Sequence, residues 1–224
     1  MARSYTQRLR AEKSTQTRAA ILAAARDLFA EADELKVDQI AHRAGVSVPT
    51  LYTHFESKGK LLSAVVGEIS REVGLFAGFE RVWRCHDGES ALRTMLETTF
   101  RFWHRAWSLA EFGLRVRRID PELGARFDRL DESRLGHLVV ICRRLAQEGR
   151  LKTRTSPARA ARAAFALTTP YVYEELVVHG GLPLSSAVRI AVQAALDAVI
   201  RRGSDPVRSE RIDWTKLGLR PPAN

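Results

Sequence analysis

Residues 40–62 read IAHRAGVSVPTLYTHFESKGKLL, and this stretch decides the fold of the first part of the chain. Apolar residues recur at helical spacing before Gly45 and again after Ser47, which predicts two short helices, 37–44 and 48–54. Gly45 suits the left-handed position that ends a helix, and Ser47 suits the N-cap of the next one. Two short helices joined by a tight glycine turn form a helix-turn-helix.

The second of these short helices carries serine, threonine, tyrosine and histidine where a core helix would carry leucine. A helix that enters the major groove of DNA needs small hydrogen-bonding side chains on its outer face, while its inner face packs on the preceding helix. The polar composition therefore indicates an exposed face that reads DNA.

The rest of the chain also has helical periodicity, so the predicted fold class is all-α. A first helix is expected over about residues 17–30, and Ser57 is expected to cap a fourth helix. Longer helices are predicted near 89–107, 108–118, 121–150, 157–180 and 184–202.

Four parts follow from this pattern. Residues 1–14 are predicted to be a basic flexible arm, and residues 15–62 a helix-turn-helix DNA-binding domain. Residues 63–203 are predicted to be a helical effector-binding and dimerisation domain, and residues 204–224 an irregular tail.

The composition narrows the class of protein. The 224 residues carry a formal net charge of +10, which favours a polyanionic partner. No apolar run is long enough to span a bilayer and the N-terminus lacks an apolar segment, so we expect a cytoplasmic protein without a membrane partner. Cys85 and Cys142 lack the spacing of a metal or redox motif and are expected to be free thiols.

The N-terminal segment resembles the DNA-binding domain of the TetR family of bacterial transcription regulators. The matching runs are RAAILAAARDLFAE, residues 18–31, and IAHRAGVSVPTLYTHFESKGKLLSAVV, residues 40–66. The resemblance implies a transcription regulator that dimerises and encloses an effector pocket. We expect a repressor that binds a palindromic DNA operator as a homodimer and is released by a small apolar or aromatic effector, and we expect no cofactor, metal site or catalytic residue.

The resemblance also implies which side chains contact DNA. Tyr52, His54 and Lys58 would contact phosphates, whereas the other polar residues of the second short helix lie nearest the base edges. Lys36 stands near the position where the family has a capping Ser or Thr, so the usual hydroxyl contact with phosphate is absent, although Lys36 could contact phosphate as a point charge. The complete predicted DNA-binding set is Arg18, Lys36, Ser47, Pro49, Thr50, Tyr52, Thr53, His54 and Lys58.

The helix predicted over 184–202 is apolar around most of its circumference, which indicates that it is covered on more than one side. We expect it to pack on its own chain and on a partner subunit, as the last two long helices do in the family; two internal core helices are the alternative. The predicted dimer interface is Ala164, Leu167, Val188, Ala191, Val192, Ala195 and Val199.

Aromatic residues concentrate in the second part of the chain, where the family encloses its effector. Core packing is the alternative role for each of them. A basic run at Arg115, Arg117 and Arg118 raises the alternative of an anionic effector, and Glu175 with His179 could bind a cation at i,i+4 spacing. The predicted ligand-binding set is Trp83, Phe100, Trp103, Trp107, Phe112, Tyr171 and Tyr173.

Two other classes of protein remain as alternatives. A helical small-molecule enzyme is disfavoured because no nucleophile elbow, H-E-x-x-H, P-loop or glycine-rich dinucleotide turn is present. An interaction module that no longer binds DNA is disfavoured by the intact polar face and the basic N-terminus.

Overall fold

The structure, a computed structural model, describes residues 2–31 and 34–201, and the predicted tail at 204–224 lies outside them. The described residues contain no β-strand beyond an isolated antiparallel bridge between Leu151 and Ile200. The helices are α1 Ala2–Glu31, α2 Val37–Arg43, α3 Val48–His54, α4 Lys58–Glu72, α5 Leu75–Trp83, α6 Gly88–Arg105, α7 Trp107–Val116, α8 Pro121–Gln147, α9 Pro157–Ala166, α10 Pro170–Tyr173, which continues as a π-helical segment Glu174–His179, and α11 Leu184–Val199.

The predicted all-α class is confirmed, and both helices of the predicted helix-turn-helix lie where the periodicity places them. Ser57 caps α4 as expected, since its Oγ accepts a hydrogen bond from the Lys60 N–H at 3.1 Å. None of the helices in the described ranges is both long and apolar enough to cross a bilayer.

Helix α1 begins far earlier than the sequence pattern indicates. Residues 2–14, where the sequence predicts a flexible arm, are helical and run directly into the core-packed half of α1. No Gly or Pro interrupts the segment, and the Arg8 Nε donates to the Glu12 Oε1 at 3.0 Å across one turn. Helix-forming residues and an i,i+4 ion pair favour continuation of the helix where no apolar face is needed.

The second half of the chain departs from the predicted helices at two places. Helix α5 is absent from the sequence-based prediction; it follows Gly74, whose φ of 73° ends the preceding helix. The helix predicted over 157–180 is interrupted after α9, because Thr169 precedes Pro170 and takes an extended conformation.

The chain forms two compact units. The first unit combines the described parts of residues 1–69 with residues 108–128, and the second combines residues 70–107 with the described residues from 129 onward. The predicted boundary after residue 62 falls within α4, and the segment 108–128 belongs to the first unit although it lies far along the sequence.

Aromatic stacking joins α1 to the 108–128 segment within the first unit. The ring of Phe29 stacks on Phe112 with centroids 4.6 Å apart, and Phe112 in turn meets Phe127 at 6.2 Å. The guanidinium of Arg115 donates to the Phe29 carbonyl at 3.1 Å, near the end of α1 where carbonyls lack helical partners. Phe112 is therefore a core residue of the first unit.

A continuous apolar core fills the second unit, with buried residues from α6, α8, α9 and α11. Cys142 lies inside it, and burial raises the pKa of its thiol to about 12. Cys85 is half-buried, and both cysteines are free thiols, as the sequence predicts.

Candidate functional site

The turn between α2 and α3 is built on a left-handed Gly45, with φ of 67°. The Gly45 N–H donates to the His42 carbonyl at 3.1 Å, and the Val46 N–H donates to the Ala41 carbonyl at 2.9 Å. These two hydrogen bonds make a Schellman motif, which satisfies the last carbonyls of α2 and turns the chain sharply into α3. Gly45 thus fixes how α3 leaves α2.

Hydroxyl groups organise the first turn of α3. The Ser47 Oγ accepts a hydrogen bond from the Thr50 N–H at 3.3 Å and lies 2.8 Å from the Thr50 Oγ1. The Thr53 Oγ1 donates to the Pro49 carbonyl at 3.0 Å. These local bonds engage the hydroxyls and leave the threonine methyl groups as the chemically distinctive part of the outer face.

The outer face of α3 is solvent-accessible, because the helix buries only Leu51 among its own residues. Tyr52 exposes 44% of its surface, while Ser47, Pro49 and Thr53 are exposed and Thr50 and His54 are half-buried. The predicted base-reading and phosphate-contacting residues of this segment therefore lie together on α3 and its N-cap, where solvent reaches them.

The predicted contacts outside α3 have separate environments. Arg18 of α1 lies over the ring of Phe55, 4.7 Å from its centroid, next to the end of α3. Lys36 is the N-cap of α2, as the sequence predicts, and its side chain makes no capping hydrogen bond. Its ammonium lies 3.6 Å from Glu34 instead.

Lys58 has a partner within the chain that the sequence does not indicate. Its ammonium forms an ion pair with Asp120, and the two side chains are only 17% and 12% exposed. Burial disfavours the charged Asp120, but hydrogen bonds from the Leu123 N–H and from Lys58 outweigh burial and hold the pKa of this carboxyl below its ordinary value. Lys58 therefore faces a carboxylate of its own chain.

In the second unit, Tyr173 is the centre of an aromatic cluster. Its ring lies 5.0 Å from Trp107 and 5.6 Å from Phe100, and its hydroxyl is 2.9 Å from the His104 Nδ1. Burial raises the pKa of Tyr173, so its hydroxyl remains protonated at neutral pH. Three of the predicted ligand residues meet here.

Trp103 forms a hydrogen bond with the backbone at the break between α9 and α10. Its Nε1 donates to the Thr168 carbonyl at 3.0 Å, and Arg134 donates to the same carbonyl at 3.1 Å. The guanidinium of Arg134, only 8% exposed, lies 3.8 Å from the centroid of Phe165 and 5.6 Å from that of Trp103. Sequence reasoning missed Arg134, because a single arginine on a long amphipathic helix gives no sign of being buried.

The remaining predicted ligand residues are not part of this cluster. Trp83 packs against His137 with centroids 5.8 Å apart, and burial lowers the pKa of that histidine. Tyr171 is exposed over half of its surface. Phe112 belongs to the first unit, as described above, and so lies in a different unit from the aromatic cluster around Tyr173.

The residues predicted to form the dimer interface lie mostly inside the single chain. Six of the seven are buried and Leu167 is half-buried, and their role in a dimer stays a prediction. They belong to the internal core that α9 and α11 share. The exposed side of α11 instead presents Ile190, which is 47% exposed, together with Ala194.

The second unit also contains a cavity that the sequence does not indicate and the Glu175–His179 pair that it does. A cavity of about 340 Å³ lies between α6 and α11, with an apolar floor at Val188 and Val192 and a rim that includes Arg93, Arg101 and Arg189. The residues Glu175 and His179 form an exposed pair at 3.2 Å. Among the described residues, no group of three or more His, Cys, Asp or Glu side chains could hold a metal ion.

The comparisons with known proteins agree with this geometry. Residues 21–65 match the family model described as bacterial regulatory proteins, tetR family. No curated protein matches the chain in sequence.

Solved structures extend the likeness beyond the helix-turn-helix. The TetR-family transcriptional regulator PfmR from Thermus thermophilus is 26% identical, with 79% of this chain and 97% of that chain covered at a TM-score of 0.58. NalD, the secondary repressor of the MexAB-OprM multidrug efflux pump in Pseudomonas aeruginosa, is 19% identical, with 86% and 100% covered and a TM-score of 0.64. The transcriptional regulator FadR from Bacillus subtilis, in complex with stearoyl-CoA, is 19% identical, with 80% and 98% covered and a TM-score of 0.65.

Residues 21–65 thus match the N-terminal domain of the tetR family of bacterial regulatory proteins, and the described residues have the fold of the solved TetR-family regulators.

The Gly45 turn generates a direct test. Replacement of Gly45 by Ala should destabilise the protein by about 1 kcal/mol, because an L residue is strained at positive φ even where a Cβ meets no neighbour. Gly67→Ala is the matched control, since Gly67 lies inside α4 with equally open space around its missing Cβ. That substitution should stabilise the helix by roughly 0.5–1 kcal/mol. Thermal unfolding measures both variants. A change in stability of the same sign for Gly45→Ala and Gly67→Ala would contradict the left-handed turn.

Proposed function

We propose that this regulator is a repressor that binds a two-fold-symmetric DNA operator as a homodimer and releases it when a small apolar or aromatic molecule binds the second unit. The observation that carries the DNA-binding part is the α2–Gly45–α3 turn with its exposed polar helix, inside the segment that matches the family. Since the target would be chromosomal DNA, we propose the cytoplasm as the place of action.

The chemistry of α3 supports recognition that depends on apolar contacts and DNA shape. Among its outward side chains there is no Arg, Asn or Gln, which are the residues that make bidentate bonds to guanine or adenine. The Thr50 hydroxyl is already engaged with Ser47, so we expect its methyl group to contact a thymine methyl. Phosphate contacts from Tyr52 and His54 would set the register.

The DNA-binding proposal is tested by capture of fragmented genomic DNA on the purified protein, followed by sequencing. Enrichment of a palindrome whose half-sites are about one helical turn apart, roughly 34–36 Å, or a multiple of it, is the expected result. Thr50→Ser keeps the hydroxyl and should weaken the thymine preference at one position by about four-fold, which is the value of roughly one buried methyl.

Thr50→Val is the matched control for that substitution, because it keeps the methyl and removes the hydroxyl. It should retain the thymine preference. If Thr50→Val loses the preference and Thr50→Ser retains it, the hydroxyl reads the base. If no DNA sequence is enriched above background, the proposed DNA recognition is wrong.

The dimer proposal now rests on the exposed side of α11 rather than on its buried side. Ile190→Glu should convert a dimer into a monomer at micromolar concentration, because a buried unpaired charge in a partner contact is strongly unfavourable. Leu130→Glu on α8, at a residue of equal exposure, should leave the dimer intact. Analytical ultracentrifugation that shows a monomeric wild-type protein, or a dimer lost only in Leu130→Glu, would contradict this interface.

The effector proposal rests on the cluster around Tyr173. Trp107 and Phe100 offer apolar stacking surface, while the Tyr173 hydroxyl and His104 offer a polar group that could orient a ligand. A ligand releases DNA only if it binds the non-binding state more tightly, and a coupling of about 1–3 kcal/mol gives a 5- to 150-fold loss of operator affinity. The FadR and stearoyl-CoA complex supports this proposal as an example of a ligand bound to a protein of the same fold.

The test compares two tyrosines of α10 that differ in burial. In a screen of ligands by tryptophan fluorescence, Tyr173→Phe should weaken the best hit by about five-fold, as expected for one lost hydrogen bond. Tyr171→Phe removes an exposed hydroxyl and should leave ligand affinity unchanged. Equal effects of the two variants, or hits that never change operator affinity, would contradict an effector site at this cluster.

A further inference from the structure

The first turn of α4 is held by two carboxylates from the start of α8. The Asp120 Oδ2 pairs with the Lys58 ammonium, and the Glu122 Oε1 accepts a hydrogen bond from the Gly59 N–H at 2.9 Å. Both carboxylates and both donors lie within the first unit.

The missing side chain of Gly59 makes this contact possible. A Cβ at that position would stand 2.8 Å from the Glu122 Oε1, closer than real Cβ contacts allow. The Asp120 carboxylate is fixed from the other side as well, since its Oδ1 accepts a hydrogen bond from the Leu123 N–H at 3.0 Å and so caps α8. The carboxylates are thus held in place by their own helix and are not loose surface groups.

Lys58 lies close to the DNA-facing helix. The chain from His54 at the end of α3 to Lys58 is four residues long, so the two Cα atoms are at most about 14 Å apart. A lysine at this distance from a helix in the major groove is within reach of the phosphate backbone, where it would release bound counterions. In the structure, its charge is instead neutralised by Asp120.

We propose that Asp120, supported by Glu122, is an internal competitor of the DNA backbone that keeps Lys58 from contributing to DNA affinity. The Lys58 ammonium can pair with the Asp120 carboxylate or with a phosphate oxygen. To pair with a phosphate, it must break the ion pair inside the protein. The pair therefore lowers the affinity for every DNA sequence alike and leaves the base contacts of α3 unchanged. This inference rests on the proposed function, since it requires that α3 binds DNA.

The experiment measures the affinity of the full-length protein for a short duplex of random sequence by fluorescence anisotropy, over a series of salt concentrations. Asp120→Asn removes the charge but keeps an oxygen that can cap α8, so the fold should be preserved. It should raise the affinity on the order of five-fold and steepen the salt dependence by about 0.9 per subunit, the value of one added phosphate contact. Glu122→Gln, which keeps the acceptor for Gly59, should give a smaller gain.

Two controls separate this effect from a general change in charge. Asp128→Asn makes the same charge change eight residues further along α8, at a carboxylate that pairs with Arg117, and should leave the salt slope unchanged. In the Lys58→Ala background, Asp120→Asn should give no gain, because the lysine that it releases is absent.

An equal gain in Asp120→Asn and Asp128→Asn, or a gain that survives Lys58→Ala, would overturn the competitor role while DNA binding stands. No binding by the wild-type protein or by any variant at low salt would overturn the proposed function and this inference together. A circular dichroism melt of each variant verifies that the fold is intact.

Discussion

The left-handed backbone at Gly45 is the constraint on which the DNA-facing part of the molecule depends. It lets two backbone hydrogen bonds close the end of α2, and the chain then enters α3 within two residues. Because the turn is so tight, α3 must pack on α2 through few apolar residues, and Leu51 is the buried one. The rest of α3 is left free for polar side chains. The polar composition of α3 therefore follows from the tight turn as well as from the proposed contact with DNA.

A second constraint shapes the other unit. Pro170 forces Thr169 out of helical geometry, and the break exposes the Thr168 carbonyl inside the protein. Trp103 and Arg134 both donate to that carbonyl, which places an indole and a guanidinium side by side among aromatic rings. A buried cation that stacks on aromatic faces gains attraction from the ring quadrupoles, and the carbonyl satisfies part of its hydrogen-bonding capacity. The break in the helix thus provides the acceptor for the buried guanidinium. The aromatic cluster around Tyr173 follows the break in the chain.

The sequence predicts the helix-turn-helix well because its signals are local. Gly45, Ser47 and the spacing of apolar residues each specify the backbone within a few positions, so no distant contact is needed. The position of Lys36 at the start of α2 follows from the resemblance to the family, and its side chain makes no capping hydrogen bond. The roles of the predicted contact residues, by contrast, remain predictions even where their places in the fold are known.

Long-range partners cannot be read from periodicity. Nothing near Lys58 in the sequence indicates Asp120, which is 62 residues away, and the apolar stripe of α11 has the same pattern whether it packs on its own chain or on a partner. Phe112 has the same aromatic character as the other residues of the predicted ligand site, but it stacks on Phe29, which is distant in the sequence. The break after α9 could have been found, since a threonine before proline disfavours helix, but an alanine-rich run on one side and an apolar run on the other suggest continuity.

The proposed function requires that α3 lies in the major groove of DNA, with two copies related by two-fold symmetry. Methylation interference at guanine N7 atoms, measured on the DNA that the protein retains, tests it most directly because those atoms line the major groove. Two symmetric patches of interference are expected, centred about one helical turn or a multiple of it apart. A single patch, or tight binding that guanine N7 methylation leaves unaffected, would contradict it.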